Sequence, residues 1–203
     1  MLEFIGISLY SGGCGMLGQI CFFIVLLFWV GFDVYLFFFH NREISGLLQE
    51  KRSKYIMLAF VLSGMFGAVA VDGGSKEAFM MPFRPYRWVG VASMIFAVVV
   101  RFLVVRQLGS SFAIDVGALP NQQLRTDRLF RVIRHPAYAA EIAGFLGLAL
   151  VFDYPLSSIL SFILPTTGIL YRIAVEERNL EYIFGDAYRD YCKKTWRLIP
   201  YVF

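Results

Sequence analysis

Along this chain, apolar runs long enough to enter a bilayer alternate with short polar and basic stretches. The first run, GMLGQICFFIVLLFWVGFDVYLFFF over 15–39, carries one acid, Asp33. The second covers 55–71, and the third covers 88–105 with Arg101 inside it. The fourth covers 137–152 and the fifth 156–175. A membrane-crossing helix needs about 20 predominantly apolar residues, and each run is read as a span. Only Asp153, Tyr154 and Pro155 separate the last two, so short a turn that it forces an antiparallel helical hairpin. Pro165 predicts a kink in the fifth span, absorbed by Thr166, Thr167 and Gly168. The helical pattern continues past Val175 through Leu180, Ile183 and Phe184 to Gly185, a residue suited to closing a helix. A short helix over 186–194 follows, and Pro200 stops any continuation. The expectation is an all-α polytopic integral membrane protein with about five transmembrane helices, a C-terminal helical hairpin and cytosolic C-terminal helices.

Composition agrees with this class. Of the residues, 58% are hydrophobic and 17% charged, where a soluble domain is about half apolar and about a quarter charged. The mean hydropathy is +0.63. The net charge of +4 is small and dispersed, so nothing resembles a nucleic-acid footprint, and the basic residues fit topology and anionic membrane lipid. Cys14, Cys21 and Cys192 form neither a CxxC nor a metal-ligand spacing, and no metal site is expected. The first residues lack the basic n-region of a cleavable signal, so the first span is read as a retained anchor.

With five spans, three basic groups fall on one side of the membrane. They are Arg42, Lys51, Arg52 and Lys54; Arg125, Arg128, Arg131 and Arg134; and a tail containing Arg178, Arg189, Lys193, Lys194 and Arg197. Lys76, Arg84 and Arg87 fall on the other. The positive-inside rule then puts the N-terminus outside and the C-terminus in the cytoplasm, the cytoplasmic membrane if the host is a prokaryote.

The candidate chemistry begins at RVIRHPAYAAEIAGFLG, 131–147. Pro136 suits the first turn of a helix and keeps His135 out of helical geometry. Arg134 and His135 therefore stand at the mouth of the fourth span, where unpaired N–H groups and the positive end of the helix dipole favour an anion. Tyr138 lies one turn further in. A second group, Arg172, Glu176 and Glu177, appears where the fifth span ends; Arg172 and Glu176 are four apart and share a face. Interfacial anchoring explains either group alone. The antiparallel hairpin brings both to one space at the interface, which anchoring does not explain.

The stretches RVIRHPAYAA, then EE, then FGDAYRDYCKKTWRLIP resemble the isoprenylcysteine carboxyl methyltransferase family, in its short prokaryotic form, related to phospholipid methyltransferases. The resemblance covers about 108–200, begins weakly at LGSSF and is most specific in RHPxY, EE and FGxxYxxY. It divides a single membrane domain, 1–203, into helices one to three (1–107) and a family-like catalytic portion (108–203). It implies S-adenosylmethionine as cofactor, bound on the cytosolic side. His135, Pro136 and Tyr138 would hold its methionine part, Arg134 would bind the cofactor beside them, and Glu177 would bind a polar group. Tyr188, Tyr191, Leu198 and Pro200 would cover it. Arg172 and Glu176 would stand beside the transferred methyl and the acceptor as the catalytic pair. The implied acceptor is lipophilic and enters from the bilayer, most simply as a prenylcysteine-like carboxylate. A lipid amine or a thiol is the alternative, and no obligate protein partner is evident.

Two other readings compete. A sterol-type NADPH-dependent reductase would favour an HR, DE and KYG-type series, which RHP, EE and FGDAY do not match. A non-enzymatic membrane scaffold predicts no nucleotide-like pocket. Inside the spans, Asp33 and Arg101 are read as a structural pair, with snorkelling of Arg101 as the alternative. Glu141 lines a substrate tunnel or pairs with a basic neighbour.

Overall fold

The computed structural model describes residues 3–39, 52–72, 84–109 and 124–201, with side chains of the first segment described for 17–36. Arg42, Lys51 and Lys76, the side chain of Cys14 and most of LGSSF lie outside the described residues. The helices are α1 (Glu3–Phe39), α2 (Arg52–Asp72), α3 (Arg87–Leu108), α4 (Pro136–Ala149), α5 (Pro155–Phe184) and α6 (Asp186–Lys194). A 3₁₀ turn, Arg128–Arg131, precedes α4.

Four described helices are long and apolar enough to cross a membrane: α1, within Leu17–Leu36, and α2, α3 and α5. The expected all-α polytopic architecture is present among the described residues, and α4, the fourth of the five runs, is shorter than the other four. The fourth run gives a helix of only 14 residues, about 21 Å at 1.5 Å per residue, against a hydrocarbon core of about 30 Å. Its last apolar residues, Leu150, Val151 and Phe152, lie outside the helix, the first two in a turn. That turn is held to the start of α3 by an ion pair between Arg87 and Asp153. The hairpin therefore reaches the level at which α3 begins, although α4 is short. α5 is long in the opposite sense. Its 30 residues make about 45 Å, so its last turns project beyond the apolar core and carry Glu176 and Glu177 out with them.

Small residues set the packing. In lipid, helices associate through close contact rather than through the hydrophobic effect. α2 and α5 run antiparallel with almost no gap. A Cβ added to Gly64 would stand 2.7 Å from Pro165 Cδ, and one on Gly168 2.7 Å from Phe60 Cβ. α3 and α4 repeat the arrangement at Gly90 and Gly147, where an added Cβ would meet the opposite backbone carbonyl at 2.4–2.5 Å. The Ser93 hydroxyl bonds to the Ala143 carbonyl at 2.7 Å along the same seam. α1 joins through Trp29, which packs on Phe145 with ring centroids 5.0 Å apart. α5 runs on past the buried Pro165, and the Thr167 hydroxyl donates to the Ile163 carbonyl at 2.8 Å.

The charges inside the spans find each other. Arg101 on α3 contacts Asp33 on α1 at 3.2 Å and forms an ion pair with Glu141 on α4. The expected Asp33–Arg101 pair is present, and Glu141 takes the basic neighbour. A charge in the bilayer is costly unless paired, and one guanidinium here joins three helices.

Candidate active site

The site forms where α4 begins and α5 leaves the apolar core. His135 is the residue before Pro136, with φ −124° and ψ 60°, outside the helical region as the following proline demands. Its ring does not cap α4. It turns to Glu177 instead, with Nε2 3.3 Å from Oε1. His135 is buried.

Glu177 is the hub of a cationic cluster. Arg134 Nε donates to its Oε1 at 3.2 Å, and Arg197 pairs with Oε2. Arg134 also donates to the carbonyls of Cys192 and Thr195, tying the end of α6 to the mouth of α4. Beyond α6 the chain returns as an extended strap. Trp196 N–H bonds to the Val132 carbonyl at 3.0 Å, Arg134 N–H to the Trp196 carbonyl at 2.8 Å and His135 N–H to the Arg197 carbonyl at 3.2 Å. This is a short parallel bridge between Ile133 and Trp196. It carries Leu198 into the core cluster with Phe145, Ile169 and Ile173, while Pro200 stays exposed.

α6 is strongly two-sided. Tyr188 and Tyr191 are buried, while Asp186, Arg189, Asp190, Lys193 and Lys194 face outward. Gly185 links α5 to α6 at φ +53°, a backbone state that side chains with a Cβ resist. The Tyr191 hydroxyl donates to the Phe130 carbonyl at 2.6 Å, and burial pushes its phenol up to about 12. Burial raises the Tyr188 phenol further. Its hydroxyl has no hydrogen-bond partner among the described residues, although the Cys192 thiol lies beside it.

The second half of the site spans the hairpin. The Tyr138 hydroxyl donates to Glu176 Oε2 at 2.8 Å. The same hydroxyl interacts with Arg172, which is 1% exposed and donates to the Ser53 hydroxyl on α2. Tyr138 thus lies against both Glu176 and Arg172. All the residues singled out in RHPxY and EE thus meet within one space.

The family model for phospholipid methyltransferases matches residues 85–187, half of the chain. The chain belongs to that family. The matched stretch contains α3, the RHPxY mouth, the hairpin with both glutamates, and the beginning of α6, so this family's shared sequence and the hairpin site coincide. The protein is a membrane methyltransferase. The resemblance to isoprenylcysteine carboxyl methyltransferases is borne out by relatives. A probable protein-S-isoprenylcysteine O-methyltransferase of Oryza sativa is 28% identical over 132 residues, 62% of this chain and 69% of its own. Protein-S-isoprenylcysteine O-methyltransferase B of Arabidopsis thaliana is 24% identical over 161 residues, 78% and 79% of the two chains. Methanethiol S-methyltransferase 1 of Bradyrhizobium diazoefficiens is 33% identical over 79 residues, 39% and 27% of the two chains.

Two residues of this candidate site escaped the sequence reading. Arg197 reads as one more basic tail residue, because no periodicity links a strap to Glu177, 20 positions earlier. Ser53 stands on α2, outside every motif. A polar residue at the start of a span carries no signal in a sequence, since solvated serines are common there.

Proposed function

We propose that the protein transfers a methyl group from S-adenosylmethionine to the carboxylate of a lipophilic, prenylcysteine-like acceptor. The observation that carries this reading is the juxtaposition of two differently charged halves at one hairpin mouth. Glu177 lies among Arg134, His135 and Arg197, and Tyr138 joins Glu176 beside the buried Arg172.

The donor's groups fit the first half. Two permanent cations, Arg134 and Arg197, meet one carboxylate, and the first N–H groups of α4 open beside them, so the cluster retains a preference for a carboxylate such as that of methionine. The buried, unpartnered Tyr188 hydroxyl suits a polar group of the nucleoside, because a buried hydroxyl left alone is costly. Tyr188, Tyr191 and Leu198 form the cover, with Pro136 shaping the mouth.

The sulfonium of the donor supplies an electrophilic methyl when bound. What the chain contributes is alignment and exclusion of water. An acceptor carboxylate is ionised at neutral pH and needs no base. Arg172 orients it as a planar, permanently charged fork, with Glu176 and Tyr138 fixing the opposite wall. The acceptor arrives from the bilayer and the donor from the cytosol, with the N-terminus outside. A thiol or amine acceptor is the second reading, favoured by the methanethiol S-methyltransferase relative and by the family name. It requires Glu176 or His135 as base.

The test is calorimetric titration of the purified protein with S-adenosylhomocysteine, beside a His135→Ala/Glu177→Ala double variant. It is followed by transfer of a labelled methyl to an N-acetylated prenylcysteine, a lipid amine and a small thiol. Binding by the parent alone and base-labile label on the prenylcysteine are expected. A folded parent that binds no donor product sinks the methyltransferase pocket, and label on the amine or thiol alone sinks the carboxylate acceptor.

A further inference from the structure

The placement of Arg172 depends on a residue from a helix outside the family-matching stretch. Arg172 is 1% exposed and Ser53 wholly buried. An Arg Nη1 donates to the Ser53 hydroxyl across the α2–α5 interface. A guanidinium has five donors and no acceptor, so each buried N–H needs an oxygen. A hydroxyl takes one of them without cancelling the charge, which a carboxylate in the same place would do.

The geometry of this contact follows from the glycine packing beside it. A Cβ on Gly168 would stand 2.7 Å from Phe60 Cβ and 3.2 Å from Met57 Cα. The two helices thus touch backbone to backbone at that level. One turn along α5 from Gly168 is Arg172, and one turn back along α2 from Met57 is Ser53. An antiparallel pair held this closely has one register, and that register sets Ser53 against Arg172. A slip of one residue would turn the serine aside by about 100°. Tyr138 meets Arg172 from the α4 side, so the guanidinium is held between two hydroxyls on two different helices.

We propose that Ser53 is a positioning residue for methyl transfer, fixing the Arg172 fork in the orientation that meets the acceptor carboxylate. The inference rests on the role given to Arg172 above. It makes α2 part of the catalytic apparatus, through register and not through contact with substrate.

The experiment compares Ser53→Ala, Ser53→Thr, Ser53→Val and Arg172→Ala in the full chain. It measures steady-state kcat and acceptor KM with labelled donor, S-adenosylhomocysteine affinity and the thermal midpoint. Thr and Val add the same bulk, so their ratio reads the hydroxyl alone even if Ser53→Ala folds poorly. The expected result is a kcat at least about tenfold lower for Val than for Thr, the scale of one hydrogen bond to a charged group. Donor-product affinity stays unchanged between the two. Equal kcat for Thr and Val, with Arg172→Ala inactive, overturns the positioning role and leaves the Arg172 reading standing. Full turnover by Arg172→Ala removes both. A Thr-to-Val difference that appears equally in the thermal midpoint and in donor-product affinity also overturns the proposal, because it marks a merely structural hydroxyl.

Discussion

Tyr138 on α4 donates its hydroxyl to Glu176 on α5 at 2.8 Å, and this bond joins the two halves of the hairpin at the level of the proposed chemistry. Its donor belongs to RHPxY and its acceptor to EE, two motifs separated by 38 positions. A hydrogen bond to a charged group contributes about 1.5–3 kcal/mol. Tyr138→Phe keeps the ring and removes the bond. The expected outcome is a fall in kcat of at least about tenfold. Affinity for S-adenosylhomocysteine, measured by calorimetry, should change less. Unaltered kcat in the folded variant would show that the Tyr138–Glu176 bond has no part in turnover.

Glu177→Gln removes the anion that Arg134, His135 and Arg197 share. Two guanidiniums then remain together in a partly buried space, and breaking such a pair costs several times more than a surface ion pair. The strap should loosen first, since Arg197 loses its ion pair with Glu177 while the backbone bridge to Ile133 is short. Hydrogen exchange at 195–200 is expected to speed up, and donor-product affinity to drop by about 100-fold, the scale of one lost buried ion pair. Parent-like exchange and affinity would remove Glu177 as the organiser of the pocket.

Much of this arrangement was legible in the sequence, for physical reasons that differ from residue to residue. The hairpin followed from the three residues between its helices, and the meeting of RHPxY with EE followed from the hairpin. Gly185 announced the α5–α6 corner because few other residues tolerate φ +53°. The length of α4 was not legible, because hydropathy reads an apolar run and does not register the turn that Asp153 makes with Arg87. Nor was the strap, where two extended residues pair with the mouth of α4 without any strand-length alternation. Ser53 depends on helix register, which is set by glycine contacts between distant segments and leaves no local pattern.

The Asp33–Arg101–Glu141 triad makes a prediction about stability and none about chemistry. Arg101→Met leaves two carboxylates facing each other in the apolar region, and a lone buried charge is strongly destabilising. The thermal midpoint in detergent should fall by several degrees. Adding Asp33→Asn and Glu141→Gln to Arg101→Met removes the charges together and should restore most of the loss, since replacing a whole buried cluster is often neutral. A triple variant no better than the single one would mean that the triad's geometry, not its charge balance, holds α1 to α3 and α4.

The cover of the pocket should respond to alkaline pH through Tyr191. Its phenol is shifted from 10.0 up to about 12, chiefly by burial, and its hydroxyl donates to the Phe130 carbonyl at 2.6 Å. The folded state therefore holds this proton more tightly than the unfolded chain. Stability from this group is fully present below pH 10.0 and is lost as pH rises towards about 12. Because the hydroxyl bonds the 3₁₀ turn before α4 from α6, the effect is local, a release of the contact between these two elements. Tyr191→Phe cannot ionise and loses the bond at every pH. It should start less stable than the parent at neutral pH, and it should lack the part of the parent's decline that belongs to this group. Thermal midpoints of both proteins at steps from pH 8 to 12 measure the difference, and the gap between them should narrow across that window. A gap that stays constant would show that Tyr191 keeps its ordinary phenol behaviour despite its burial.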